Sequence, residues 1–210
     1  MTRGAIYLEY VISDPHLGHR KLRERTRQEF KTCEELAEHF VKSWNSVVTN
    51  NDIVYLLGDI GDRDFIKEYI PQLRGKIVAI LGNHDGYSRK FYEEYFDYVY
   101  KKPFYINKRI LLSHVPEPIA PGKINIHGHT HKIDINDPNY FNVCVDRVDY
   151  KPVKMKKFYD YLGTIEKPNI KFLEEWYADK QIVIEKREDL VTDENGLIDV
   201  EKSKIQKKFK

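Results

Sequence analysis

Residues 77–85 read Ile77-Val78-Ala79-Ile80-Leu81-Gly82-Asn83-His84-Asp85, so a short apolar run leads directly into polar side chains that can bind metals. An apolar run of this length, rich in β-branched residues, predicts a buried strand. Open α/β sheets carry their chemistry just beyond the carboxyl ends of such strands. This stretch therefore predicts a strand of an α/β fold that ends at a functional site.

Four other apolar runs end in the same way. They are Tyr10–Ile12 before Asp14 and His16, Ile53–Leu57 before Asp59, Ile110–Leu112 before His114, and Ile124–Ile126 before His129 and His131. Taken alone, each of these strand-end motifs is more often structural than functional. Together they place imidazoles and carboxylates on one rim, where unpaired groups would cost several kcal/mol in desolvation and repulsion. The joint pattern predicts a metal site at that rim.

The composition describes a folded protein and names no particular partner. The chain has 210 residues, of which 41% are hydrophobic and 32% charged, and its net charge is +2. No apolar stretch approaches the roughly 20 residues that cross a membrane, and the N-terminus lacks the features of a signal peptide. Two cysteines cannot form a disulfide framework and favour a reducing compartment. We therefore expect a cytoplasmic protein without membrane contact, and the sequence leaves its oligomeric state open.

The first half of the chain shows alternating strand and helix patterns. A strand is predicted over residues 5–12, and a short helix over 64–70, before Pro71. Between them, Thr32 and Glu35 have the spacing of a capping box, which predicts a helix from Cys33. A basic segment at residues 20–27 precedes that helix.

From about Val99 onward the pattern becomes rich in strands. A hairpin is predicted over residues 104–110, a strand over 142–145 and a helix over 156–162. The composition changes after Gly163. We expect residues 1–163 to form one domain and residues 164–210 a charged extension, with a helix, a turn signal for a hairpin and a basic end.

The polar motifs, taken in order, resemble the signature of the calcineurin-like metallophosphoesterases. They are Asp14-Pro15-His16, Gly58-Asp59, Gly82-Asn83-His84-Asp85, His114 and Gly128-His129-Thr130-His131. The chain also resembles the small bacterial and phage branch in Gly18-His19, Trp44-Asn45 and Asn142-Val143-Cys144-Val145-Asp146. The resemblance covers roughly residues 5–162. It implies an α/β fold in which two packed mixed β-sheets are flanked by helices, the αββα sandwich of that family.

The resemblance also implies two divalent metal ions. It assigns Asp14, His16 and His131 to the first ion, Asn83, His114 and His129 to the second, and Asp59 to both as a bridge. Imidazole and carboxylate ligands suit manganese, iron, nickel or zinc, and manganese is our first expectation. A hydroxide bridging the two ions would then be the nucleophile, so that no side chain attacks the phosphorus.

Further residues receive roles around this centre. By resemblance, His84 protonates the leaving oxygen or stabilises charge on the phosphoryl group. Asp85 is expected to orient His84 through a hydrogen bond. His19, Arg25 and Arg27 are candidate substrate contacts, since guanidinium groups suit phosphate; the alternative for the arginines is an ordinary charged surface.

The leading function is hydrolysis of phosphomonoesters or phosphodiesters, with nucleotides or nucleic acids among the candidate substrates. One alternative is a metal-dependent nuclease acting on DNA or RNA, because DNA-processing members share these motifs. A second is a binding scaffold that kept the fold and lost catalysis. The presence of His84 and of every expected metal ligand argues against the scaffold.

Overall fold

The computed structural model describes residues 7–165, and two β-sheets form the centre of this part of the chain. The strands are β1 Glu9–Ile12, β2 Ile53–Leu56, β3 Lys76–Ile80, β4 Tyr98–Tyr100, β5 Phe104–Ile106, β6 Ile110–Leu112, β7 Ile124–His127, β8 Tyr140–Asn142 and β9 Val153–Lys154. The helices are α1 Arg20–Thr26, α2 Cys33–Asn45, α3 Arg63–Tyr69, α4 Arg89–Tyr92, α5 Val145–Val148 and α6 Lys156–Thr164.

Both sheets are mixed. The first has the strand order β4-β3-β2-β1-β9, in which only β9 runs antiparallel to its neighbour. The second has the order β5-β6-β7-β8, in which β5 is antiparallel and the other strands are parallel. The expected α/β architecture of two mixed sheets flanked by helices is therefore confirmed, and all five apolar runs contribute strands.

The two faces of the first sheet enter two different apolar cores. On β1, Tyr10 and Ile12 belong to the core that contains Phe40 and Trp44 of α2. Their neighbour Val11 belongs to the core between the two sheets, together with strand residues of β6 and β7. Successive side chains of a strand point to opposite faces, so both faces of this sheet are covered. This explains why its strands are apolar at nearly every position.

Two local predictions are confirmed in detail. The hydroxyl of Thr32 accepts a hydrogen bond from the Glu35 backbone N–H at the start of α2, at 3.1 Å. The hairpin between β5 and β6 turns at Asn107 and Lys108, whose φ angles are 45° and 64°. The strands pair from Ile106 and Ile110 onward, so the loop has three residues, and the Arg109 backbone N–H donates to the Ile106 carbonyl at 3.3 Å.

One other prediction is wrong, and one helix was not predicted. The strand expected over residues 142–145 ends at Asn142 as part of β8, and α5 begins three residues later. The reason lies in Asn142, whose side-chain oxygen accepts the Cys144 backbone N–H at 3.0 Å and so turns the chain. The basic segment at residues 20–27 folds largely as a helix of its own, α1, which its charge pattern did not predict.

The remaining bounds differ only slightly from expectation. Helix α3 covers Arg63–Tyr69 and is followed by a 3₁₀ turn at Ile70–Gln72, which accommodates Pro71. The start of the strand expected over residues 5–12, and the elements expected after residue 165, lie outside the described residues. Within residues 7–165, no helix is both long and apolar enough to cross a bilayer.

Candidate metal centre

The expected metal ligands lie where the two sheets meet. Asp14, His16 and Asp59 follow strands of the first sheet, whereas His114 and His131 follow strands of the second. The strands that lead to these residues thus belong to two sheets, which meet at one shared edge. The sheets are joined at this edge by backbone hydrogen bonds from Ser13 N to Val143 O at 3.0 Å and from Val145 N to Ser13 O at 2.9 Å.

The loops that carry these ligands have unusual backbone conformations. Five ligand positions have positive φ angles, namely Asp14 (60°), His16 (48°), Asp59 (50°), His129 (67°) and His131 (49°). Residues other than glycine seldom adopt this left-handed region, which costs free energy and is concentrated at functional sites. Five such residues on one shared edge indicate that the edge is shaped for binding.

A first cluster consists of Asp14, His16 and His131, whose potential ligand atoms lie within 4.8 Å of one another. Oδ2 of Asp14 accepts hydrogen bonds from Ser13 Oγ at 2.5 Å and from the His129 backbone N–H at 2.8 Å. Asp14 Oδ1 and His16 Nε2 are buried and have no hydrogen-bond partner among the described residues. Two buried acceptor atoms left unpaired carry a desolvation cost that a bound cation would remove.

The protonation states in this cluster also suit a cation. Burial raises the pKa of Asp14, but the neighbouring His16, His114, Ser13 and Cys144 outweigh it and lower the pKa to about 2. Burial lowers the pKa of His16, despite the opposing effect of Asp14 and Asp59. Near neutral pH, Asp14 is therefore a carboxylate and His16 a neutral imidazole, which are the forms that bind metals.

A second cluster consists of Asp59, His114 and His129, again with potential ligand atoms within 4.8 Å of one another. His114 Nδ1 lies 2.8 Å from the Leu57 carbonyl oxygen, to which it donates, and this leaves Nε2 as the ligand atom. The side-chain oxygen of Asn83 lies 2.9 Å from that Nε2. Burial lowers the pKa of His114, yet the carboxylates of Asp59 and Asp14 raise it overall. The negative charges of these carboxylates therefore favour a cation beside His114.

Asp59 lies between the two clusters. Its Oδ2 is 3.4 Å from His16 Nε2 in the first cluster and 3.4 Å from His114 Nε2 in the second. Its Oδ1 accepts the backbone N–H of His84 at 2.9 Å. This position is the one that a bridging carboxylate would occupy.

Two further histidines lie beside the clusters. The exposed ring of His84 lies 5.6 Å from the ring of His16 and 6.2 Å from that of His19, measured between centroids. His19 caps α1, because its Nδ1 accepts the Leu22 backbone N–H at 3.2 Å. In the neutral ring the proton of His19 is therefore on Nε2, which makes that atom a hydrogen-bond donor.

The expected role of Asp85 is wrong. Its carboxylate accepts the backbone N–H groups of Asp59 at 2.8 Å, Ile60 at 2.9 Å and Gly82 at 2.7 Å, and makes no hydrogen bond to His84. Asp85 therefore holds the loop that carries Asp59, and with it the position of the Asp59 carboxylate. The sequence showed the proximity of Asp85 to His84 along the chain, but the backbone N–H groups that it binds come from other loops.

The expectation that Arg27 holds a substrate phosphate is also wrong. Its side chain is only 1% exposed, and its nitrogens bind the Asp146 carboxylate and two backbone carbonyl oxygens. Arg25 lies exposed in the last turn of α1, and its contact with substrate stays a prediction. His127, the last residue of β7, is fully buried.

Sequence reasoning gave no role to Asp146, which contacts a metal ligand directly. Its Oδ2 lies 2.9 Å from His131 Nδ1, so the carboxylate accepts that N–H and leaves Nε2 for the metal. Asp146 ends the segment at residues 142–146 that resembles the small bacterial and phage branch, but nothing in the sequence linked this segment to His131.

Gly128 allows the second sheet to approach the first, and its replacement gives a direct test of this packing. A Cβ at Gly128 would overlap Ser13 Oγ and Asp14 Oδ2, whereas one at Gly86 would meet no atom within 4 Å. We expect Gly128→Ala to lower the free energy of unfolding by about 1–3 kcal/mol, as overpacking does. Gly86→Ala should change it by less than about 0.5 kcal/mol. Urea unfolding of the two metal-free variants measures the difference, and equal stability would contradict the close approach.

Comparisons with known proteins agree with this architecture. The family model for calcineurin-like phosphoesterases matches residues 10–192. The uncharacterized protein MJ1445 of Methanocaldococcus jannaschii is 32% identical over 160 residues, which cover 70% of this chain and 86% of that protein. The gene 66 protein of Mycobacterium phage L5 is 32% identical over 159 residues, covering 58% of this chain and 76% of that protein.

A solved structure shares the fold. The protein of unknown function AQ665 from Aquifex aeolicus is 24% identical, with a TM-score of 0.61, and the match covers 74% of this chain and 100% of that one. The motif order, the two clusters and the family match over most of the sequence lead to one assignment. The chain belongs to the calcineurin-like phosphoesterase family.

Proposed function

We propose that this protein hydrolyses phosphomonoesters or phosphodiesters with two divalent metal ions. Membership of the family supports metal-dependent phosphoester hydrolysis in general. The observation that carries the two-ion proposal is the position of Asp59, whose Oδ2 is equally distant, at 3.4 Å, from a histidine nitrogen of each cluster. A carboxylate between two sets of ligands suits a pair of ions better than a single one.

The donor set decides which ions fit. Asp14, His16 and His131 would hold the first ion, and Asn83, His114 and His129 the second, with Asp59 shared. When bound, two such ions lower the pKa of a water molecule and neutralise charge on the phosphoryl oxygens. Oxygen and imidazole donors favour manganese, with iron, nickel and zinc as alternatives.

The nearby thiol does not change that preference. Cys144 Sγ lies 3.1 Å from Asp14 Oδ2, to which it donates a hydrogen bond. Burial and the Asp14 carboxylate raise the pKa of the Cys144 thiol far above its usual range. A protonated thiol is a poor metal ligand, so Cys144 supports Asp14 and adds no soft donor to the centre.

The chain's own groups would handle the substrate and the leaving group. His84 is exposed beside both clusters, while its backbone N–H is fixed to Asp59, so its ring can reach a substrate and give a proton to the leaving oxygen. His19 presents an Nε2–H donor that suits a phosphoryl oxygen. The exposed Arg25 on α1 is a further candidate contact for a charged substrate.

The test starts from metal-free protein to which manganese, nickel, zinc or magnesium is added separately. Each form is assayed with p-nitrophenyl phosphate, bis-p-nitrophenyl phosphate, a cyclic nucleotide and a single-stranded DNA oligonucleotide. We expect hydrolysis only when metal is added, and the fastest hydrolysis with manganese. At least one of the small phosphate esters should be hydrolysed. Cleavage of DNA alone would favour a nuclease. A protein that binds two ions and hydrolyses none of the four would contradict the proposal.

A further inference from the structure

Arg27 is a buried arginine that contacts the two loops carrying the ligands of the first cluster. Its Nη1 donates to the Pro15 carbonyl at 2.7 Å, and its Nη2 donates to the Asp14 carbonyl at 2.8 Å. Both carbonyls belong to the Asp14-Pro15-His16 motif after β1, where Asp14 and His16 have left-handed backbone conformations. Arg27 therefore fixes the backbone of two ligands without touching their ligand atoms.

The same guanidinium reaches the third ligand of that cluster through Asp146. Arg27 Nε donates to Asp146 Oδ1 at 3.0 Å and Nη2 donates to Oδ2 at 2.9 Å, so the pair is bidentate. Asp146 Oδ2 in turn accepts the N–H of His131 at 2.9 Å. Burial raises the pKa of Asp146, but hydrogen bonds from His131 and Arg27 outweigh it and hold the carboxyl ionised. One guanidinium thus connects ligands from both sheets.

The second cluster does not share this support. Among the described residues, the hydrogen bonds of Arg27 and Asp146 end on Asp14, Pro15 and His131, and none reaches His114 or Asn83. His114 Nδ1 donates to the Leu57 carbonyl, and the side-chain oxygen of Asn83 lies 2.9 Å from His114 Nε2. The two clusters are linked through Asp59 and through Asp14, whose Oδ2 accepts the His129 backbone N–H at 2.8 Å, but neither Arg27 nor Asp146 bonds a ligand of the second cluster directly.

We propose that the Arg27–Asp146 pair is a positioning device that sets the affinity of the first metal ion and leaves that of the second unchanged. The inference rests on the proposed two-ion centre. Its physical basis is geometric, because a planar guanidinium binds a carboxylate and two carbonyls at fixed angles that a flexible ammonium does not reproduce. Removing a residue that holds a metal ligand in place through a hydrogen bond typically lowers metal affinity by about 10–100-fold.

The experiment measures manganese binding to metal-free protein by calorimetry, with Arg27→Met as the principal variant. Each substitution is made in the wild type and in two backgrounds, His129→Ala, which weakens the second site, and His131→Ala, which weakens the first. Arg23→Met is the matched control. Arg23 lies in α1, four residues before Arg27, and its side chain donates to the Phe30 carbonyl at 2.8 Å and to Glu24 at 3.2 Å rather than to an expected ligand or to Asp146.

In the otherwise wild-type protein, we expect Arg27→Met to lower the affinity for one of the two ions by about 10–100-fold. In the His129→Ala background, where the first ion remains, Arg27→Met should lower the affinity for that ion by the same factor. In the His131→Ala background, where the second ion remains, it should leave the affinity unchanged. Arg27→Lys keeps the positive charge and loses the planar guanidinium, so it should give a smaller decrease in metal affinity. Arg23→Met should leave both ions unchanged in every background.

Three outcomes distinguish a failure of the positioning role of Arg27 and Asp146 from a failure of the two-ion centre. A wild type that binds fewer than two ions would refute the two-ion centre itself. Two ions in the wild type with unchanged affinities in Arg27→Met would overturn the positioning role. Equal weakening in both backgrounds would also overturn it, because a general loss of structure does not distinguish the sites. If Arg27→Met does not fold, the same titrations with Arg27→Lys decide, and unchanged affinities there would refute the role.

Discussion

Asp59→Ala is expected to lower kcat/KM for phosphoester hydrolysis by roughly a thousandfold. Two metal ions stabilise a phosphoryl transition state by several kcal/mol, and each 1.36 kcal/mol corresponds to a factor of ten in rate. Asp59 Oδ2 lies 3.4 Å from a histidine nitrogen of each cluster, so its loss should disturb both ions together. Steady-state kinetics at saturating manganese measures the rate, and calorimetry should find fewer than two tightly bound ions.

Asp64→Ala provides the matched control for that change. Asp64 lies five residues further along, its side chain is 91% exposed, and it pairs only weakly with Lys67 at 3.4 Å. This variant should keep the activity and both ions. Full activity of Asp59→Ala with two tightly bound ions would refute the bridging role of Asp59.

His84→Ala is expected to lower kcat by about 10²–10⁴-fold, the range for loss of a general acid. Both ions should stay bound, because the contact of residue 84 with Asp59 is made by the backbone N–H, which alanine retains. This separates His84→Ala from Asp59→Ala, in which activity and metal binding fall together. Loss of an ion in His84→Ala would indicate that the imidazole is itself a ligand.

The leaving group distinguishes the two roles considered for His84. A proton donor matters most when the departing oxygen is strongly basic, as in an alkyl phosphate, and least for p-nitrophenol, which leaves as an anion. A proton-donating His84 predicts a much larger loss on the alkyl ester. An equal loss on both esters would instead assign His84 to stabilising charge on the phosphoryl oxygens.

The sequence predicted well which candidate ligands lie together, because each follows an apolar strand. The runs before Asp14, Asp59 and His114 are short, bounded and rich in β-branched residues, so both the strand and its end could be located. The two clusters in the structure contain the same residues that the resemblance assigned to separate ions, apart from Asn83, whose amide lies beside His114. Motif order along the chain carried this information.

The sequence failed where long-range contacts decide the role of a residue. Arg27 was expected on a basic surface because its neighbours are charged, yet it is buried against Asp146, 119 residues away. A charged side chain becomes buried only when its partners are supplied, and those partners cannot be identified from local composition. Asp85 was misassigned for the same reason, since the backbone N–H groups at Asp59 and Ile60 that it accepts are defined only by the folded loops.

The origin of the ligands in both sheets has a consequence for how this enzyme can change during evolution. The distance between His16 and His131 depends on how the two sheets are packed, and Val11 and Ile126 lie in the core that separates them. A displacement of 1 Å at reacting groups can cost on the order of 10²-fold in rate. Natural selection on catalysis therefore acts on apolar residues far from the metals, and volume changes between the sheets are constrained even where the fold would tolerate them.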